Sequence, residues 1–184
     1  HNGSETTTDS FTYKANDGTL DSNIATVTIT ITPVNDAPIA NDDEVVVEEG
    51  GTISMLSNNQ TSVLNNDTDA ENDILSAVLV SPPTYGTLIL NTDGTFTYSH
   101  DGSETITDSF TYIANDGTLD SNIATVVISI TPVNDNVPSD IILSNNSLNE
   151  NITSSVIGQF STLDLDLPFD NHTYEFVSGD GDTN

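Results

Sequence analysis

The side chains best placed to do chemistry are carboxylates and amides gathered at a few points of the chain. Asp67-Thr68-Asp69 and Asp164-Leu165-Asp166 are D-x-D triplets, which in extended chain point two carboxylates the same way. Asn35-Asp36 and Asn134-Asp135-Asn136 lie in two near-copies of one segment, TPVNDAPIAN at Thr32–Asn41 and TPVNDNVPSD at Thr131–Asp140. Further acids fall at Asp42-Asp43-Glu44, Glu48-Glu49, Asp101 to Glu104, Asp108, Asp116 and Glu150, while the strand-like runs Ile24–Ile31 and Ile123–Thr131 contain none. Calcium takes about six to eight oxygens at roughly 2.3–2.6 Å, and carboxylates, amide oxygens and the free carbonyls of a bend supply that kind of donor. Asp and Asn also favour turns for local reasons, but clustering at strand ends and the D-x-D spacing favour calcium.

The charge balance makes the grouping consequential. The chain has 184 residues with 29 acids against one basic residue, Lys14, for a net charge of -28. Almost no carboxylate can find a cation within the chain. Two carboxylates about 4 Å apart repel by roughly 4 kcal/mol at an effective dielectric near 20, so clustered acids must stay apart in water or share a dissolved cation. No basic patch can be built, which argues against nucleic acid or an anionic membrane as partner. There is no cysteine, so disulfides, Cys-based zinc and thiol redox chemistry are excluded. No run of about 18 apolar residues offers a membrane span, and no signal peptide is visible. The chain opens on His1 and reads as a piece of a longer polypeptide. Apolar residues make up 34% of it with period two, which argues against disorder.

The elements that must carry these acids are strands. Residues 1–36 and 100–135 differ at only five positions of the first copy, 2, 7, 14, 28 and 30. A spacing this long means a whole domain per repeat, longer than the units of a solenoid, and roughly 100 residues suits an immunoglobulin-type sandwich. Residues 37–135 then form one complete unit. The pattern predicts strands at Val45–Val47, Thr52–Leu56, Ile74–Val80, Thr87–Leu90, Thr95–Tyr98, Ser109–Ala114 and Ile123–Thr131, with Asn91-Thr92-Asp93-Gly94 as a hairpin turn. Phe110, Tyr112 and Ala114 share one face, as do Val126, Ile128 and Ile130. Residues 1–36 hold the last two strands of such a unit, and residues 136–184 the opening strands of a third, at Asp140–Leu143, Val156–Thr162 and Thr173–Ser178. The expectation is an all-β chain of tandem antiparallel sandwiches joined by calcium-binding linkers. Between the copies, Lys14 becomes Ile113 and Thr28 becomes Val127, both off the core face, which makes that pair a candidate lateral contact.

Several motifs carry a resemblance. Asn134-Asp135-Asn136-Val137-Pro138 resembles the N-D-N-x-P linker of cadherin domains, Asn149-Glu150-Asn151 their early x-E-N, Asp164-Leu165-Asp166 their D-x-D, and Ala114-Asn115-Asp116-Gly117 their late A-x-D-x-G. The middle unit is similar to the cadherin-like tandem repeats of large bacterial surface adhesins, through Val34–Pro38, Asp42-Asp43, Glu48 or Glu49, Asn66–Asp69, Asn91–Gly94 and Asp108–Tyr112. The resemblance implies shared ligands. At the first joint Asn35 and Asp36 meet Asp67, Asp69 and Asp116 from one unit, with Glu5 and Asp9 from the other. At the second, Asn134, Asp135 and Asn136 meet Asp164 and Asp166, with Glu48 or Glu49 and Asp101, Glu104 or Asp108 opposite; Glu150, the early glutamate of the third unit, is a further candidate ligand.

The function this favours is a non-catalytic extender of an extracellular, bacterial cell-surface adhesin, a rod of neighbouring repeats stiffened by Ca2+ at its joints. Calcium at such sites is bound at about 10⁻⁴–10⁻³ M, so the rod would stiffen outside the cell. The alternative is a direct adhesive module, binding a like chain or a glycan, or a subunit of an extracellular filament. An enzyme is disfavoured: His1, His100 and His172 stand without a nucleophile and read as surface or packing residues. The Asn-x-Ser/Thr triplets at Asn2, Asn59, Asn66, Asn145, Asn151 and Asn171 are what chance gives in an Asn- and Thr-rich chain.

Overall fold

A computed structural model describes residues 5–144, 159–166 and 172–175. Its centre is a pair of sheets facing each other across one core. The first sheet contains β3 (Asp43–Glu48), β5 (Ser76–Ser81), β8 (Thr107–Asn115) and β9 (Ala124–Thr131), in the order β3-β9-β8-β5. The second contains β4 (Thr52–Ile53), β6 (Gly86–Leu90) and β7 (Phe96–His100), in the order β4-β7-β6. All pairings are antiparallel except β3 with β9, which run parallel with Asp43 beside Val126 and Glu48 beside Thr131.

Alternation along each strand builds the core. On β8, Phe110, Tyr112 and Ala114 are buried, and on β9, Ala124, Val126, Ile128 and Ile130. Val45 and Val47 of β3 and Phe96 and Tyr98 of β7 complete the packing, with the Phe96 and Phe110 rings 6.2 Å apart. The β6–β7 hairpin closes on Asn91–Gly94, where Gly94 has φ +77 and a Cβ would meet Ser62 Oγ at 2.3 Å. Only glycine fits that turn.

Two strands are shorter than the sequence pattern predicts. Thr52–Leu56 ends at Ile53, because the Leu56 N–H turns to Gln60 O and the Ser57 N–H to Glu44 O. Ile74 lies outside β5 and is 93% exposed: Asp69 Oδ1 accepts the N–H groups of Glu71 and Asp73, and Asn72 sits at φ +62, so the chain is still turning there. On the outer face, Val127 lies opposite Ser109 and Ile113 opposite Val78, with the Thr111–Thr125 pair between them. They occupy separate rows of that face.

On either side lie two short ladders. β1 (Thr8–Tyr13) pairs with β2 (Ala25–Thr30), and β10 (Ser139–Leu143) with β11 (Phe160–Leu163), both antiparallel. The strand expected at Val156–Thr162 is thus seen as β11, its first residues lying outside the described ones. Residues 172–175 form no strand, and the rest of Thr173–Ser178 lies outside the described residues. Among the described residues no helix is long and apolar enough to cross a membrane.

Two buried carboxylates are structural. Asp108 accepts the Thr84, Tyr85 and Ser109 N–H groups and the Tyr98 hydroxyl, at 2.8–3.0 Å. Those donors hold its pKa below the usual carboxylate range even though burial pulls the other way. Asp43, beside Asp67 and the Tyr112 hydroxyl, goes the other way: burial first, then the Asp67 charge, push it up to about 7. Asp108→Ala leaves buried donors without an acceptor and should cost about 3 kcal/mol in urea unfolding, with divalent-ion affinity unchanged.

Candidate metal centre

The two Asn-Asp linkers each end in a knot of carboxylates. At the first, one oxygen each from Glu5, Asp36 and Glu71 lies within 4.8 Å of the others. The Asp36 N–H donates to Glu71 Oε2 at 3.4 Å. Asn35 Nδ2 donates to Asp116 Oδ2 at 2.8 Å and to Thr118 Oγ1 at 2.9 Å, tying the linker to the turn after β8. That turn is organised by Asp116 Oδ1, which accepts from the N–H groups of Thr118 and Leu119 and holds the acid well below the usual range, the Leu119 N–H contributing most. Asp69 stands two residues before Glu71, with Oδ2 buried and unpartnered.

At the second, Glu49, Glu104 and Asp135 come together in the same way. Glu49 is only 9% exposed; its Oε2 accepts the Val133 N–H at 3.2 Å, and its Oε1 has no partner. Asn136 stitches the far side. Its Nδ2 lies 2.6 Å from Glu104 Oε1 and 2.8 Å from Asp166 Oδ1, and its backbone N–H donates to Asp166 Oδ2 at 3.0 Å. Asp164 and Asp166 are each 4% exposed. Asp164 accepts the Asp166 N–H and lies 3.0 Å from His172 Nε2.

The β-turn after β3 decides between the two glutamates. Glu48 ends β3 pointing to solvent, while the turn closed by Gly51 N–H on Glu48 O brings Glu49 inward. His100 fixes both arms of the site. It is buried, its Nδ1 accepts the Gly50 N–H at 3.1 Å and the Gly102 N–H at 3.3 Å, and its Nε2 lies 3.0 Å from Thr105 Oγ1. The residues beside those contacts are Glu49 and Glu104.

Not every sequence candidate joins a knot. Asp67 faces inward, accepting the Asn41 N–H within reach of the Tyr112 hydroxyl. Asp108, on β8, is held by the Thr84, Tyr85 and Ser109 N–H groups and the Tyr98 hydroxyl, Asp9 accepts the Ser10 N–H on β1, and Asp101 accepts the Ser103 N–H in an exposed turn. Asn134 belongs to the linker, and Glu150 lies outside the described residues. Glu71 was not among the sequence candidates; the turn that brings it to Asp36 is set by Asp69 Oδ1 accepting its N–H, and its two-residue spacing from Asp69 was the one signal in the sequence.

The donor set fits calcium. Two oxygens on one such ion lie at most about 5 Å apart, the span found in both knots, and all donors are hard oxygens. The knots are also electrostatically unfavourable as they stand. Glu5 is raised by lost hydration, then by the Glu71 and Asp36 charges; Glu104 is raised by lost hydration, then by Glu49 and Asp166.

A carboxyl raised by folding stabilises the fold at low pH and ceases to as pH rises through its folded value. Glu5, Glu104 and Asp43 are of this kind. In chelator, stability should therefore climb from about pH 8 to about pH 5. Below about pH 4 it should fall, as Asp108 and Asp116, both held low, take up protons. Melting curves across pH check this, and Asp43→Asn should flatten the climb. His100→Ala should lower stability by about 2 kcal/mol and weaken ion binding at the second knot alone, read by titrating wild type and variant side by side.

The family described as bacterial cadherin-like domain matches residues 35–132, just over half of the 184 residues. Extracellular matrix protein 3 of Lytechinus variegatus is 32% identical over 156 residues, 75% of this chain and 5% of that protein. Extracellular matrix organizing protein FRAS1 of Mus musculus is 32% identical over 128 residues, 60% of this chain and 3% of that protein. The chain thus spans a small part of these curated relatives. Among solved structures, extracellular cadherin domains 1–5 of protocadherin gamma B2 align with a TM-score of 0.50 at 19% identity, covering 77% of this chain and 28% of that one. That likeness is one of fold.

Proposed function

The chain belongs to the bacterial cadherin-like domain family, and from that premise we propose that it is a non-catalytic extender of an extracellular surface adhesin, stiffened by calcium where its repeats meet. The units are residues 1–36, 37–135 and 136–184, the first and last being parts of repeats, and the partners are neighbouring repeats. Glu5, Asp36 and Glu71, with Asp69 beside them, would hold one ion; Glu49, Glu104 and Asp135, with Asn136, Asp164 and Asp166 around them, would hold the other. Bound there, calcium supplies the positive charge this sequence lacks.

One observation carries the reading. Among the described residues, the buried side-chain nitrogens and oxygens without a partner are Glu49 Oε1, Asp69 Oδ2 and Glu71 Oε1. All three are carboxylate oxygens, and all three lie in or beside a knot. A buried, unpartnered charged oxygen is costly, so its natural complement is a cation. The first knot draws acids from both sides of its linker, and the second, built from the middle unit and its linker, is tied through Asn136 to Asp166 beyond it, so an ion held at either restrains the angle between units. The extracellular setting is supported by the names of the curated relatives and by the calcium affinity such sites have.

Thermal melting and small-angle scattering in chelator and in millimolar calcium test this. At ten times its dissociation constant an ion adds about 1.4 kcal/mol per site, so melting should rise on the order of 10 °C and interdomain flexibility should fall. Glu49→Gln and Glu71→Gln should raise the melting point in chelator, by relieving repulsion, and shrink the calcium increment. Curves that coincide with and without calcium reject the proposal.

A further inference from the structure

The two linkers run alike through Asn35-Asp36 and Asn134-Asp135, then part: Ala37 follows in the first and Asn136 in the second. The one amide gained there gathers acids of different origin. Asn136 Nδ2 lies 2.6 Å from Glu104 Oε1, 2.8 Å from Asp166 Oδ1 and 3.2 Å from Asp135 Oδ1. The Asn136 N–H donates to Asp166 Oδ2 at 3.0 Å. Glu104 comes from the connection between β7 and β8 of the middle unit, and Asp166 follows β11, beyond the joint.

The chemistry of these contacts fixes which way the amide faces. All three neighbours are carboxylate oxygens, which only accept, so the amide end that meets them is the nitrogen with its two hydrogens. Hydrogen bonds to an ionised acceptor are shorter and stronger than neutral ones, as the 2.6 and 2.8 Å separations show. Asp166 is 4% exposed, and each of its carboxylate oxygens accepts a bond from Asn136. Lost hydration, then the Glu49 and Asp166 charges, raise the pKa of Glu104, and the Asn136 amide opposes them. The first joint is tied differently. Asn35 holds its linker to Asp116 and Thr118 of the middle unit, and Asp69 Oδ2 and Glu71 Oε1 beside it have no partner.

We propose that Asn136 is a latch that keeps the second joint closed when no ion is bound, by bonding Glu104 of the middle unit to Asp166 of the next. The amide is a neutral substitute for a cation: it offers hydrogens to the same crowded acids without adding charge. A cation in the knot and the amide are alternative partners for Glu104 and Asp135. Loss of the amide therefore matters where the cation is absent, and calcium makes the loss good. A residue needed as a calcium ligand would behave in the opposite way, its loss being felt in calcium. The inference rests on the calcium reading only for what takes over when the latch is cut.

The test uses the full chain. It has no cysteine, so Thr97→Cys, exposed on β7, and Ser161→Cys, exposed on β11, place one spin label on each side of the joint. Pulsed dipolar spectroscopy then reads the spread of label-to-label distances. That spread should be narrow in chelator and in millimolar calcium alike. Asn136→Ala should widen it at least twofold in chelator, and calcium should narrow it again. Asn136→Asp, which keeps the size but turns the donor into another acid, should do the same. Amide exchange on β8 and β9 that matches the unsubstituted chain shows that the middle unit is intact in both variants. A wide spread in chelator before any change at Asn136 overturns the latch, as does a spread in chelator that Asn136→Ala leaves narrow. Widening by Asn136→Ala in calcium alone overturns it too, and makes Asn136 a ligand. Widening in chelator that calcium fails to reverse supports the latch and counts against the calcium reading instead.

Discussion

Carboxylates that cannot be neutralised from within constrain this structure more than any other interaction. With one lysine for 29 acids, the usual solution of pairing Asp or Glu with Arg or Lys is closed. Lys14 and Asp21 form the single ion pair with a lysine among the described residues. Every other acid must be solvated, hydrogen-bonded by neutral donors, protonated, or held against a dissolved cation.

The chain uses these options in different places. Asp108 and Asp116 are satisfied by backbone N–H groups and sit low in pKa; each organises a turn or a strand end. Asp43 and Asp67 share the mouth of the core beneath the Tyr112 hydroxyl and are both raised, chiefly by burial. The linker knots belong to neither class. Their acids are crowded and incompletely hydrogen-bonded, and they gather at a joint. The same repulsion that opposes folding at a bare joint gives a bound ion its leverage over the joint's geometry.

The sequence made the strands legible because period-two burial leaves a mark at every residue, and because a near-perfect internal copy brackets one complete unit. The Asn-Asp linkers were legible for the same reason. The membership of the knots was less so. D-x-D spacing found Asp69 but also picked out Asp67, whose inward turn depends on Tyr112 from a strand 45 residues away. Glu48 and Glu49 are adjacent and alike in type; only the turn at Gly50 and Gly51, braced by His100, separates them. Asp108 was a candidate ligand through the cadherin-like resemblance, and its long-range partners come from the β5–β6 connection and from Tyr98 of β7. Such long-range hydrogen bonds leave no local pattern.

The central claim is that cations occupy the linker knots, and anomalous X-ray scattering from crystals grown in millimolar calcium measures that most directly. The account predicts anomalous peaks among Glu5, Asp36 and Glu71 and among Glu49, Glu104 and Asp135, each within about 2.6 Å of carboxylate oxygens. Knots that hold only water, with their carboxylates turned apart into solvent, would contradict it.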